Sequence, residues 1–313
     1  MFRLIIRRLL VILIVMLGVN LIGFLFGYYL GPTLTSTNLA AYKISQLQPF
    51  LPAYLTYWKG IISLNFGTLP DGGSVLDTIG QSFLASSGLL FLSFILSILF
   101  GYLLGRAGVK TEPNRVAPWL DVLSTFGQSS PSFYIGILFI SASVMLLIWA
   151  PKNFPLLPFQ GYGWDAHLIL PVLALMIRPT LQIAHFSASL LVTEMNKGYV
   201  LALRGMGFTK RRILGRLAFR NILAPIILVT AGSWRLIIVE LIILERLFNW
   251  PGLGKLLCDT LILGTNSANY LFPPLLAGLL SVLAFLFMSV DFLAWVLSQS
   301  LDPRLTVGQE FMI

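Results

Sequence analysis

Residues 199–225 read Tyr199-Val-Leu-Ala-Leu-Arg-Gly-Met-Gly-Phe-Thr-Lys-Arg-Arg-Ile-Leu-Gly-Arg-Leu-Ala-Phe-Arg-Asn-Ile-Leu-Ala-Pro225. The stretch begins with helical spacing, turns at Gly205 to Gly207, and resumes as a second, basic amphipathic helix. On that helix Lys210, Arg211, Arg212, Arg216 and Arg220 would face lipid headgroups or an acidic partner. Ala202, Gly205 and Gly207 keep the turn slim, so another protein's surface can approach the backbone closely. Taken alone, the pattern also suits an interfacial amphipathic helix with no partner. On either side the character changes: apolar runs occupy about His167 to Leu191 before it and Ile222 to Leu244 after it. Each is about the 20 residues that a membrane-crossing helix needs.

Working outward, the same length recurs. Arg3, Arg7 and Arg8 precede an apolar run from Leu9 to Leu30, longer than the roughly 7–15 residues of a cleaved signal peptide. It reads as a retained first helix, with Gly23 and Gly27 at a G-x-x-x-G spacing suited to close helix contact. A second run, about Phe83 to Gly105, ends on another such pair, Gly101 and Gly105. A third, about Trp119 to Ile148, is interrupted by Ser129-Ser130-Pro131, where proline frees a backbone carbonyl and tends to kink the helix. The fourth and fifth runs flank the basic connector, and a sixth covers about Leu271 to Leu297. The expected architecture is all-α and polytopic, with six transmembrane helices. Residues 1–30 form the basic amino terminus and first helix. Residues 31–82, broken by Pro32, Pro49, Pro52 and Pro70 but rich in aromatics, form an external region with short ordered helices at the interface. Residues 83–301 form a five-helix core with a cytoplasmic connector at 194–225 and an external loop at 245–270, and residues 302–313 form a tail.

Composition agrees with this reading. The 313 residues are 57% hydrophobic and 11% charged, against roughly 45–50% and 25% in soluble domains. With 21 Lys and Arg against 12 Asp and Glu, the net charge of +9 would suit nucleic acid only in a soluble protein. Here it sets topology. With the amino terminus inside, 14 of the 21 basic residues fall on the cytoplasmic side and five on the other, with Arg178 and Arg235 within spans. Both termini are expected in the cytoplasm. Cys258 stands alone, so neither an internal disulfide nor a multi-cysteine metal site can form. His167 and His185 lack further ligands at metal spacing and read as packing or interface residues.

The basic connector resembles the EAA loop of permease subunits in bacterial ABC importers of the dipeptide, oligopeptide and nickel branch. Tyr199, Val200, Arg204, Gly207, Arg211, Arg212, Arg216, Ala218, Arg220, Asn221 and Pro225 match it in register. A second match is Glu245-Arg-Leu-Phe248-Asn-Trp250-Pro251-Gly252-Leu253-Gly254, similar to the family's E-T-V-F-S-W-P-G-L-G. Ser130-Pro131-Ser132-Phe133, Asp291 and Asp302-Pro303-Arg304 also match, so the likeness covers nearly the whole chain. Leu203 and Gly205 replace alanines of the loop, Leu217 replaces a histidine, and Asn266 to Asn269 stands where the family has Arg-Asp. Arg235 and Glu240 occupy a span that the family keeps mostly small and apolar.

The resemblance implies a type I ABC importer permease in a bacterial inner membrane. Its expected partners are a second permease, two cytoplasmic ATPase subunits that carry ATP and Mg, an extracytoplasmic substrate-binding protein and the lipid bilayer. The chain itself is expected to bind no cofactor or metal and to catalyse nothing. Gly252-Leu-Gly-Lys255 is no phosphate-binding loop, since it lacks the first glycine and has Leu256 where Ser or Thr is required. Tyr199, Ala202, Arg204, Gly205, Gly207, Arg211, Arg212, Asn221 and Pro225 are the expected ATPase-coupling residues. Ser130, Pro131, Phe133, Arg235 and Glu240 are candidates for the translocation pathway. Arg178, Arg235 and Glu240 are costly in hydrocarbon and should face water or a partner, either in the pathway or in structural pairs. Glu245, Phe248, Trp250, Pro251, Gly252 and Gly254 form either an outer gate or docking surface, or an interfacial belt with a tight Pro-Gly turn. The competing class is an ion-coupled secondary transporter, or another membrane subunit without an ATPase. Such a transporter would show an inverted repeat with matched broken helices, which the proline-broken third and fourth spans do not find in the fifth and sixth.

Overall fold

The computed structural model describes residues 2–34, 49–63, 65–111, 114–149, 157–262 and 271–301. Asn266 to Asn269 and Asp302-Pro303-Arg304 lie outside them. The helices are α1 (Phe2–Leu34), α2 (Phe50–Ile62), α3 (Val75–Ala107), α4 (Pro118–Ser129), α5 (Ser132–Trp149), α6 (Ile169–Met195), α7 (Gly198–Gly205) and α8 (Lys210–Arg212). A π-helical turn, Ile213–Ala218, joins α8 to α9 (Phe219–Leu247), and α10 (Leu253–Leu261) and α11 (Pro273–Leu301) follow. Among the described residues, six helices are long and apolar enough to cross a membrane: α1, α3, α5, α6, the continuous α8 to α9 rod, and α11.

The chain divides into two compact units. The first comprises residues 1–88, 160–162 and 245–288, and the second 89–159, 163–244 and 289–313.

In the first unit, α1 packs where glycine removes the side chain. A Cβ on Gly23 would lie 3.0 Å from the Ala277 Cα, and one on Gly27 only 2.8 Å from the Pro273 Cα. This G-x-x-x-G pair is therefore a seam at which the backbones of α1 and α11 touch. Beside it, α2 lays an aromatic face on α1, with Phe24, Tyr28, Phe50, Tyr54 and Tyr57 in mutual ring contact. Asn20, buried within this apolar packing, is satisfied by its neighbours. Its Nδ2 donates to Tyr57 Oη at 3.1 Å and Ser281 Oγ at 3.0 Å, and Tyr54 Oη donates to its Oδ1 at 3.3 Å.

In the second unit the other glycine pair does the same work. A Cβ on Gly101 would fall 2.8 Å from Ile183, and one on Gly105 2.6 Å from the Ala184 carbonyl oxygen, so α3 and α6 meet backbone to backbone. The third apolar run is two helices rather than one kinked helix. Pro131 excludes helical backbone at the preceding residue, and Ser130 takes the extended conformation (φ −93°, ψ 116°) between α4 and α5. Of these only α5 has membrane-spanning length. The polar loop after α3 contains a small antiparallel hairpin, β1 (Val109–Thr111) and β2 (Asn114–Val116), with Lys110 opposite Arg115.

Candidate functional site

The basic connector is built around one acidic residue. Glu194, near the end of α6, is buried, and its Oε1 accepts hydrogen bonds from Tyr199 Oη and from Asn221 Nδ2, both at 2.8 Å. Lys197 Nζ lies 2.5 Å from its other oxygen. One carboxylate thus ties together the end of α6, the start of α7 and the start of α9. Burial, and then the hydrogen bond it donates to Glu194, push the Tyr199 phenol up to about 12. Beneath the connector, Leu191, Met195, Val200, Ile213, Leu214, Ala218, Ile222 and Ile226 form a buried apolar cluster, with Leu203 and Phe208 packed against it.

Outward, the connector presents a different surface. Leu201 is 75% exposed and Met206 69%, with Ala202, Gly205, Gly207, Arg211 and Arg212 exposed around them. Gly207 has φ +87°, a left-handed conformation that glycine adopts without strain. The Thr209 hydroxyl then caps α8, accepting from the Arg212 N–H, and the Arg212 guanidinium sits 5.2 Å from the Phe208 ring. Arg204 is half-buried, and its Nε and Nη2 are enclosed without a hydrogen-bond acceptor among the described residues. Pro225 lies inside the helical rod, half-buried.

The intramembrane charges pair between helices rather than along one helix. Arg178 of α6 donates to the buried Glu240 of α9. Arg235, on the same helix as Glu240, has its Nη1 3.4 Å from Asp291 Oδ2 of α11. Ser130 Oγ donates to the Phe126 carbonyl, Pro131 separates α4 from α5, and Phe133 opens α5 with its ring 37% exposed.

The Trp-Pro-Gly motif folds inward. Glu245 is fully buried; Ser86 Oγ donates to its Oε1 at 2.6 Å, and the Gly254 and Lys255 N–H groups donate to its Oε2 at 2.7 and 3.3 Å. Ser86 Oγ in turn accepts the Leu253 N–H at 2.7 Å, and Trp250 Nε1 donates to the Ala85 carbonyl at 2.9 Å. Phe248 and Trp250 are almost wholly enclosed, while Pro251 remains exposed. A Cβ at Gly252 would fall 2.1 Å from Glu245 Oε1, so only glycine leaves the carboxylate room. Asn249 takes a left-handed φ of 57°, which asparagine tolerates, and accepts from Lys255 Nζ at 2.6 Å. Glu245, Phe248, Trp250, Gly252 and Gly254 hold the start of α10 in place, and of the motif Arg246, Asn249 and Pro251 reach the surface.

Residues 97–307 match the family of binding-protein-dependent transport system inner membrane components. The chain belongs to that family. The match runs from within α3 past the end of α11, and so contains the connector, both ion pairs and the Trp-Pro-Gly motif. Among related proteins, the oligopeptide transport system permease protein AppB of Bacillus subtilis is 26% identical over 96% of this chain and 98% of its own length. The dipeptide transport system permease protein DppB of Lactococcus lactis is 26% identical over 82% of this chain and 81% of its own. The glutathione transport system permease protein GsiC of Salmonella choleraesuis is 28% identical over 83% and 87%. This permease is thus a multi-pass, all-α membrane subunit of a transport system.

Three residues of these constellations escape sequence reasoning: Glu194, Ser86 and Asp291 as the partner of Arg235. Glu194 carries a faint signal, an acid in an otherwise basic connector. Ser86 carries none, since a serine in an apolar run reads as helix filler.

Proposed function

We propose that this permease forms one half of the translocation pathway of an ATP-driven importer, carrying peptides or similar small solutes inward. Two cytoplasmic ATPase subunits hydrolyse ATP, with Mg, and a second permease completes the pathway. An extracytoplasmic binding protein delivers cargo, and both termini of this chain lie on the cytoplasmic side of a bacterial inner membrane. The relatives' transport of dipeptides, oligopeptides and glutathione supports the cargo class.

The observation that carries the reading is the exposed turn after α7 together with the carboxylate that anchors it. Leu201 and Met206 present apolar surface among basic residues. An ATPase groove that covers the apolar pair removes that surface from water. Force applied at this turn reaches α6 and α9 through Glu194, which bonds to both ends of the connector. ATP then shifts the orientation of the pathway to the extent that its binding differs between the two orientations.

The test is purification of the complex with its co-purifying subunits, followed by uptake into proteoliposomes. Uptake that requires ATP, and falls about tenfold in Glu194→Ala at equal membrane abundance, is expected; losing a hydrogen-bonded tie worth about 1.4 kcal/mol suffices for that factor. Uptake that follows an ion gradient and ignores ATP overturns the reading.

A further inference from the structure

The second unit holds a cavity of about 490 Å³, walled by Gln128 of α4, Arg178 and Gln182 of α6, and Gly232, Arg235, Leu236 and Val239 of α9. This volume is in the range that accommodates small-molecule ligands. Gln182 stands at the middle of α6 and Arg235 near the middle of α9, so the cavity lies deep in the membrane-spanning stretch. A half-exposed guanidinium at that depth is costly in hydrocarbon and requires water or an anion.

The charged groups of the wall are two guanidiniums, beside the amides of Gln128 and Gln182. Arg178 is held on the buried Glu240 and is fixed in place. Arg235 is differently situated: its Nη1 is 3.4 Å from Asp291, both side chains are about half exposed, and the contact is an ion pair too long for a good hydrogen bond. Most of its five N–H donors therefore remain available. The Gln182 amide lies 3.4 Å from Ser233 Oγ, whose one proton also has the Val229 carbonyl at 3.2 Å, so this amide brings both a donor and an acceptor to the wall. Two guanidiniums on one space, with side-chain amides beside them, match a planar, charged acceptor with two oxygens, and a carboxylate has that geometry.

We propose that the cavity is a transit site at which Arg235 holds the carboxylate of the passing solute. In this assignment Arg235 exchanges Asp291 for the carboxylate of the passing solute, while Glu240 keeps Arg178 positioned as the second donor. The inference rests on the importer reading above and deepens it, by naming the side chain that holds the solute's carboxylate within the membrane.

The experiment uses the complete importer with its binding protein in proteoliposomes supplied with ATP. The probes are trialanine and trialanine C-terminal amide, which differ at the carboxylate alone. Wild-type protein is expected to favour trialanine, and Arg235→Gln to cut trialanine uptake at least about tenfold, bringing the ratio of the two probes toward one. Arg235→Lys, which keeps the charge but not the fork, is expected to fall between them. Trialanine uptake by Arg235→Gln within twofold of wild type overturns the proposal. So does an Arg235→Gln complex that loses its second membrane subunit, which would place Arg235 in a subunit interface. Wild-type protein that takes up neither probe when ATP is supplied overturns the importer reading, and this inference with it.

Discussion

Glu194 and Glu245 are the same kind of object at two places in the chain: a carboxylate withdrawn from solvent and surrounded by donors. Their energetics are asymmetric, because a satisfied buried acceptor contributes modestly whereas its removal strands every donor that faced it. Glu245→Ala leaves the Ser86 hydroxyl and the Gly254 and Lys255 N–H groups without their acceptor. At about 1–3 kcal/mol for each stranded donor, a net loss on the order of 3 kcal/mol is expected, read as a lower midpoint of thermal unfolding in detergent. Glu245→Gln, which keeps an acceptor oxygen, is expected to lose less. At the connector the consequence is a pH dependence. Because burial and the Glu194 bond raise the Tyr199 phenol to about 12, the folded state holds this proton after the unfolded chain, at about 10, has released it. The stabilisation from Tyr199 is complete below about pH 10 and is lost as pH rises toward about 12. Tyr199→Phe has no such proton to lose, so its stability relative to wild type is expected to improve across that window, as measured by unfolding at stepped alkaline pH.

At the scale of elements, the two glycine seams carry the helix packing that side chains carry elsewhere. Gly105→Leu places a branched side chain where a Cβ alone already meets the Ala184 carbonyl at 2.6 Å. It is expected to push α3 from α6 at a cost of about 1–3 kcal/mol or more. Gly18→Leu, on α1 with open space around its Cβ position, is expected to be tolerated. Fluorescence-detected size-exclusion chromatography after heating compares the two. These helices were legible because apolar runs are long and continuous, and the interruption at Pro131 because proline acts locally. Helix ends were less legible: α3 begins at Val75, ahead of the apolar run that starts near Phe83, because Asp77, Thr78, Gly80 and Gln81 extend the helix past its apolar part. An apolar run measures the thickness of the bilayer, not the length of the helix that crosses it. Pairing partners were least legible. Ser86 and Glu245 are 159 residues apart and Arg178 and Glu240 are 62 apart, and no local periodicity connects such positions. Arg235 and Glu240 stand at positions on one helix that do not stack as an i, i+4 pair, and each has a partner on another helix.

For the whole molecule, the distribution of charge makes the orientation testable. With 14 of 21 basic residues assigned to one side, the exposed turn at Met206 is expected in the cytoplasm. In a Cys258→Ala background, Met206→Cys is expected to react with a membrane-impermeant maleimide in inverted vesicles and not in intact cells; labelling in intact cells would reverse the topology. The matched pairs deeper in the membrane bear on energy rather than orientation. Arg178 faces Glu240 and Arg235 faces Asp291, so any rearrangement of α6, α9 and α11 that keeps these pairs together displaces no net charge from them across the bilayer field. A single unpaired charge crossing the full field would couple to it by about 2.3 kcal/mol per 100 mV. Under the proposed exchange Arg178 and Glu240 stay matched and add no gating charge, whereas Arg235 leaves Asp291 for the solute, so any voltage dependence of turnover is expected to reflect Asp291 and the charge of the solute.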